Sequence, residues 1–121
     1  MHSIKKTKSF KIVYNSSCQS VNPFLVMYKV KNNRDISRLG ISVSKKVGNA
    51  VVRNRVRRLI KESCRLRAHT IDKGFDIVVV ARPAIGTIPR EDSYRKVDKA
   101  LGSLFKRLSL ISPDTTPLTK S

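Results

Sequence analysis

Between Asn49 and Arg67 the chain repeats apolar residues at helical spacing, and no other stretch limits the possible folds so tightly. On a wheel of about 100° per residue, Val52, Val56, Leu59, Ile60, Ser63 and Leu66 share one face. A stripe of that kind has to be buried, so the helix needs a second layer to pack on. The opposite face is cationic. Arg53, Arg57 and Lys61 form one ridge, and Asn54, Arg58 and Arg65 the next, with Arg55 and Arg67 adding to them. Glu62 is the one acid in the segment. Solvated helical faces usually mix signs, because opposite charges at i,i+4 stabilise one another. A face of one sign calls for an outside polyanion. Asn49 is placed to cap the helix, and Lys45, Lys46 and Gly48 lead into its electropositive end.

The second layer is expected to be a sheet. Phe24 to Lys31 is rich in β-branched and aromatic residues. Its alternation puts Phe24, Val26, Tyr28 and Val30 on one face, and Leu25, Met27 and the stem of Lys29 on the other. Lys31 to Asp35 reads as a hairpin turn. Ser37 to Ser44 alternates again, Leu39, Ile41 and Val43 against Arg38, Gly40, Ser42 and Ser44. Phe75 to Arg82 is almost continuously apolar, as suits a covered strand. A last helix begins near Pro89-Arg90-Glu91-Asp92, with Val97, Leu101, Leu104, Phe105 and Leu108 as its stripe. Phe10, Val13 and Tyr14 suit a short first helix, and Asn15 to Asn22 a loop. The expected class is α+β: an αβββαβα two-layer sandwich, a mixed sheet packed against helices. One domain should occupy residues 1–111, with residues 1–8 flexible, and 112–121 should be a disordered tail containing Pro113 and Pro117.

Composition narrows the function. There are 26 Lys+Arg against 8 Asp+Glu, a formal net charge of +18. Nucleic acid is the partner such an excess fits best, since cations displace condensed counterions from phosphates. No apolar run approaches the roughly 20 residues of a membrane span, and residues 1–10 lack the apolar core of a secretory signal. The expectation is a cytoplasmic protein. Cys18, Cys64, His2 and His69 have no metal-ligand spacing, and the two thiols are expected reduced. Asp72, Asp76, Glu91, Asp92 and Asp98 are expected on surfaces or helix starts, with no carboxylate pair for acid–base work and no metal cluster. No catalytic residue is expected. Tyr28 faces away from the helices if Leu25 and Met27 face them, and a sheet face with aromatics and small polar groups suits single-stranded nucleic acid. Phe10 and Tyr14 either join that face or staple the first helix to the sheet.

The stretch from Arg38-Leu39-Gly40-Ile41-Ser42-Val43-Ser44-Lys45-Lys46 through Asn49 and Arg53-Asn54-Arg55-Val56-Arg57-Arg58 to Glu62 resembles the signature of the bacterial ribonuclease P protein component. The resemblance extends through Phe10-x-x-Val13-Tyr14, the Tyr28 strand, Asp76 to Pro83 and the Leu104-Phe105 helix, roughly residues 8–108. It implies an accessory subunit of a ribonucleoprotein that removes the 5′ leader from precursor tRNA, in which the RNA performs the chemistry and holds the Mg²⁺. It further implies that Lys45, Lys46, Arg53, Asn54, Arg55, Arg57, Arg58 and Lys61 bind the catalytic RNA. Phe10, Tyr14, Val26, Tyr28 and Ser42 would line a cleft for the single-stranded leader. A left-handed βαβ crossover is also implied, against the usual right-handed rule. Two departures stand out: Tyr14 where phenylalanine is usual, and Ser16-Ser17-Cys18 without a glycine common there. The rival classes fare worse. A helix-turn-helix needs a helix just before the basic one, where this chain has a strand. A stand-alone nuclease needs clustered carboxylates. A membrane-surface helix needs the apolar stripe that the core requires. No membrane and no small-molecule substrate is expected.

Overall fold

In the computed structural model, residues 2–3 and 18–108 are described. The strands are β1 (His2–Ser3), β2 (Cys18–Val21), β3 (Leu25–Lys31), β4 (Arg38–Ser42) and β5 (Phe75–Ala81). The helices among the described residues are α1 (Ala50–Arg67) and α2 (Ser93–Arg107), with short 3-10 turns at Ala68–Thr70, Pro83–Thr87 and Arg90–Asp92. The sheet order is β1-β4-β5-β3-β2. β4 is parallel to both β1 and β5, while β3 is antiparallel to β5 and to β2. The sheet is therefore mixed and the fold α+β, as expected. No helix among the described residues is long and apolar enough to cross a membrane.

β5 takes the centre because it is apolar on both sides. Ile77, Val79 and Ala81 join the main core with Leu25, Met27, Leu39 and the helix stripes. Val78, fully buried, packs with Tyr28, Val30 and Val80 on the other side of the sheet. This corrects the hairpin expected at Lys31 to Asp35: β3 and β4 are not neighbours, because β5 lies between them. A strand able to bury both faces gains most in the middle. The 31–37 connection instead crosses the start of β5, tied by Asn32 N–H to the Gly74 carbonyl (2.9 Å) and by Ser37 Oγ to the Asp72 carbonyl (2.6 Å).

Two further expectations change. Cys18–Val21 is a strand on β3, not loop; its polar composition suits an edge strand, which needs little apolar area. His2–Ser3 pairs with Arg38–Leu39, which occupies backbone groups on the outer edge of β4. Phe24, placed by alternation with Val26 and Tyr28, packs against the main core, since it precedes the strand and escapes its alternation. The first helix around Phe10 to Tyr14 and the tail after Ser112 lie outside the described residues.

α2 buries its expected stripe in full: Val97, Leu101, Leu104, Phe105 and Leu108. The α-helix itself starts at Ser93, after a 3-10 turn over Arg90–Asp92. Its end is held by the sheet. The Lys29 ammonium donates to the Leu108 carbonyl and lies 4.9 Å from the Phe75 ring centroid. A cation at a helix C-terminus meets carbonyls that lack intrahelical partners.

Candidate nucleic-acid interface

α1 begins as the sequence indicates. Asn49 Oδ1 accepts from Val52 N–H at 3.0 Å, and Asn49 is the N-cap. The preceding turn, Ser44 to Gly48, is folded by Val47 N–H to the Ser44 carbonyl (3.1 Å) and Gly48 N–H to the Lys45 carbonyl (3.2 Å). Val43 and Val47 are buried, so the exposed Lys45 and Lys46 stand on an anchored turn. The Pro83–Thr87 turn wedges against it. A Cβ on Gly86 would sit 2.0 Å from the Val47 carbonyl oxygen, so only glycine permits that approach.

The roll of α1 differs from the wheel. Its buried residues are Val56, Ile60, Ser63 and Cys64, while Val52 and Leu59 are half-buried and Leu66 is 50% exposed. The helix is turned toward Arg53 and Arg57, and the reason is polar. Asp98 of α2 accepts from Ser63 Oγ (2.5 Å) and from Arg67 Nη1 (2.5 Å), and Arg67 Nη2 donates to the Asp98 carbonyl (3.1 Å). Arg67 thus belongs to the α1–α2 seam and not to the cationic face. Gly102 makes room for it, since a Cβ there would lie 2.8 Å from Arg67 Nη2. Burial alone would raise the Asp98 pKa, but the bonds from Arg67 and Ser63 outweigh it and hold the carboxyl below its ordinary value. The same surroundings push the Cys64 thiol up to about 12, chiefly through burial, so it is a neutral core group.

The outer face keeps its cations free of carboxylates: Lys45, Lys46, Arg58 and Lys61 are exposed, while Arg53, Arg55 and Arg57 are half-buried. The four ion pairs among the described residues are Arg38–Asp76, Arg65–Glu62, Arg67–Asp98 and Arg95–Asp92. None engages Lys45, Lys46, Arg53, Arg55, Arg57, Arg58 or Lys61. Arg57 Nη1 donates to Asn54 Oδ1 at 3.1 Å, which orients its guanidinium without neutralising it. The Nε atoms of Arg53 and Arg55 are buried without a hydrogen-bond partner. A buried donor left without a partner is costly. Arg65 differs from its neighbours: it makes a two-point contact with Glu62, at 3.1 and 2.7 Å.

The sheet face opposite the core gathers the other expected residues. The register sets Gln19, Tyr28, Val78 and Gly40 in one row, and Val21, Val26, Val80 and Ser42 in the next. Val26, Tyr28 and Ser42 are half-buried there. Phe10 and Tyr14 lie outside the described residues. Val78 and Val80 were missed as part of this face, although the unbroken apolar run of β5 signals a strand lined on both sides. A third row, Val30, Asp76 and Arg38, closes one end. Asp76 was expected on a surface but is 6% exposed. It accepts from Arg38 Nε (2.8 Å), Arg38 Nη2 (2.5 Å) and Asn32 Nδ2 (2.9 Å). Burial opposes its charge, yet these bonds hold its pKa below the ordinary value and raise that of Arg38. Among the described residues no three His, Cys, Asp or Glu side chains come together in a way that could hold a metal ion.

The family described as Ribonuclease P matches residues 1–108 of the chain. A ribonuclease P protein component of Alkaliphilus metalliredigens is 43% identical over 109 residues, 90% of this chain and 95% of the relative. One from Clostridioides difficile is 44% identical over 108 residues, 88% of this chain and 91% of the relative. The solved RNase P protein of Staphylococcus aureus superposes with a TM-score of 0.83 at 32% identity, covering 93% of this chain and 99% of that one.

Proposed function

The chain belongs to the ribonuclease P protein family, the protein subunit of a ribonucleoprotein that processes precursor tRNA, and on that premise we propose how its surfaces divide the binding of RNA. The partners are the catalytic RNA and the leader of the precursor. The outer face of α1 with its leading turn, Lys45, Lys46, Arg53, Asn54, Arg55, Arg57, Arg58 and Lys61, takes the catalytic RNA. The sheet face of Val26, Tyr28 and Ser42, with Phe10 and Tyr14, takes the leader. The observation that carries the division is the contrast in ion pairing: the cations of the outer face have no carboxylate partner among the described residues. RNA phosphates supply the missing charge, and Arg forks bind them in two-point fashion.

The protein's part is positional. By screening phosphate repulsion it lets two RNAs approach, and by holding the leader it raises substrate affinity. The hydrolytic chemistry and its Mg²⁺ belong to the RNA subunit, and the site of action is the cytoplasm. The test is cleavage of precursor tRNA by the cognate catalytic RNA at low Mg²⁺, with and without the protein. Stimulation is expected. A protein that binds the RNA yet gives no stimulation would overturn the reading. Within the same assay, Tyr28→Ala should weaken binding of leader-bearing substrate by about 1–3 kcal/mol, the scale of one base stacked on an aromatic ring, and leave affinity for the catalytic RNA unchanged.

A further inference from the structure

A second group of cations lies at the corner where β2 turns into β3. Arg107 Nη1 donates to the Val21 carbonyl at 2.7 Å, and Arg82 Nη1 donates to the Asn22 carbonyl at 3.0 Å. Two guanidinium groups, from the end of β5 and the end of α2, are thus tethered to consecutive peptide units, each through one nitrogen. The corner beneath them is rigid. Asn22 Oδ1 accepts from Phe24 and Leu25 N–H (3.0 and 2.8 Å), and Asn22 Nδ2 donates to the Ala100 carbonyl (3.1 Å). Ala100 and Arg107 are seven residues apart and share a helical row, while Lys99 and Lys106 form another row about 100° further round the helix. Arg82, Lys99, Lys106 and Arg107 are all exposed, and none takes part in an ion pair among the described residues. Asp98, the one acid of α2, faces Arg67, and Asp92, just before the helix, faces Arg95.

We propose that Arg82 and Arg107, with Lys99 and Lys106 further round α2, form a second phosphodiester-binding surface, separate from the outer face of α1. A backbone tether on one nitrogen leaves the other donors of each fork for an anion and removes part of the ordering cost of binding. The ligand is RNA phosphate, which rests on the reading above that the chain works on RNA. It comes either from the catalytic RNA or from a stretch of leader beyond the sheet face.

The experiment compares full-length Arg82→Gln/Arg107→Gln with a charge-matched pair at the other end of the sheet, Lys31→Gln/Lys73→Gln. Affinity is measured over a salt series in two arms. One arm uses the catalytic RNA alone. The other uses the assembled ribonucleoprotein with precursor tRNAs of short and long leaders. The corner variant is expected to bind roughly tenfold more weakly in one arm, with a salt slope shallower by about 1.4, two single-strand contacts at about 0.7 each. Loss in the first arm assigns the phosphates to the catalytic RNA; loss confined to long leaders assigns them to the leader. Arg82→Lys/Arg107→Lys should recover most of the slope, because it restores the charge. Equal loss in the charge-matched pair, no loss in either arm, or no recovery by the lysine pair would overturn the proposal. RNA binding through α1 would survive any of these results, so a failure here is distinct from failure of the wider reading.

Discussion

Arg58 and Arg67 leave the same helix about two and a half turns apart and enter opposite chemistry. Arg67 turns into the α1–α2 seam, where Asp98 and Ser63 hold it. Arg58 stands on the outer face with no carboxylate partner among the described residues. Arg38 repeats the first pattern on the sheet, against Asp76. The side chain is the same in each case, and what differs is whether the fold supplies the counter-charge. Where it does, the arginine is a structural cross-link whose removal strands a carboxylate, buried at Asp76 and half-buried at Asp98. Where it does not, the arginine adds self-repulsion to a chain of net charge +18 until a polyanion binds.

Among the charged residues, the largest expected effect lies on the structural side. Asp76→Ala leaves Arg38 without its partner in a mostly buried site and should cost about 3 kcal/mol, read by urea unfolding. A loss below about 1 kcal/mol would mean that the pair is solvated like a surface bridge. On the open side, Arg53→Ala combined with Arg57→Ala should weaken RNA binding by about tenfold or more and flatten its salt dependence. Its unfolding free energy should move by less than about 0.5 kcal/mol, since neither residue has a carboxylate partner among the described residues and the one bond of Arg57, to Asn54, is exposed. A large stability loss would erase the contrast between the two groups.

The extent of α1 is legible in the sequence, and its roll is not. Asn49 as cap, the apolar spacing and the uninterrupted cations set where the helix runs and which side meets RNA. A wheel built on apolarity ranks Leu66 above Cys64 and ignores Arg67. It cannot register that Ser63, Arg67 and Asp98 satisfy one another inside the seam and draw that edge inward. The sheet shows the same divide. Residues 25–31, 38–42 and 75–81 announce themselves by alternation or continuity, yet the insertion of β5 between β3 and β4 depends on contacts far apart in the chain. β2 escapes notice because an edge strand is held by backbone bonds to β3, and its side chains carry little pattern. Among the expected site residues, the basic helix is recoverable locally, whereas the rows across the sheet exist only once the register is known.

Two smaller effects sharpen the comparison further. The lowered pKa values of Asp76 and Asp98 mean that their contribution is fully present above the unfolded carboxylate value near about pH 4 and is lost as pH falls through the folded values. Stability should therefore decline below about pH 4. Asp98→Asn should make that decline shallower, while removal of the outer arginines should leave its slope unchanged, as followed by circular dichroism. The smallest effect is expected at Leu66, which is half exposed despite its place in the apolar stripe. Leu66→Ser should shift stability by less than about 0.5 kcal/mol, whereas Ile60→Ala, on the buried side of the same helix, should cost about 2–5 kcal/mol.

The contact of Gly86 with the Val47 carbonyl leaves no slack for a side chain. The direction in which Lys45 and Lys46 reach is thereby inherited from a turn some forty residues downstream, not from their own segment. A synthetic peptide copying residues 44–67 would carry every charge of the basic helix and still present its leading lysines at an arbitrary angle. Transplanting this surface to another scaffold requires bringing the downstream wedge along with it.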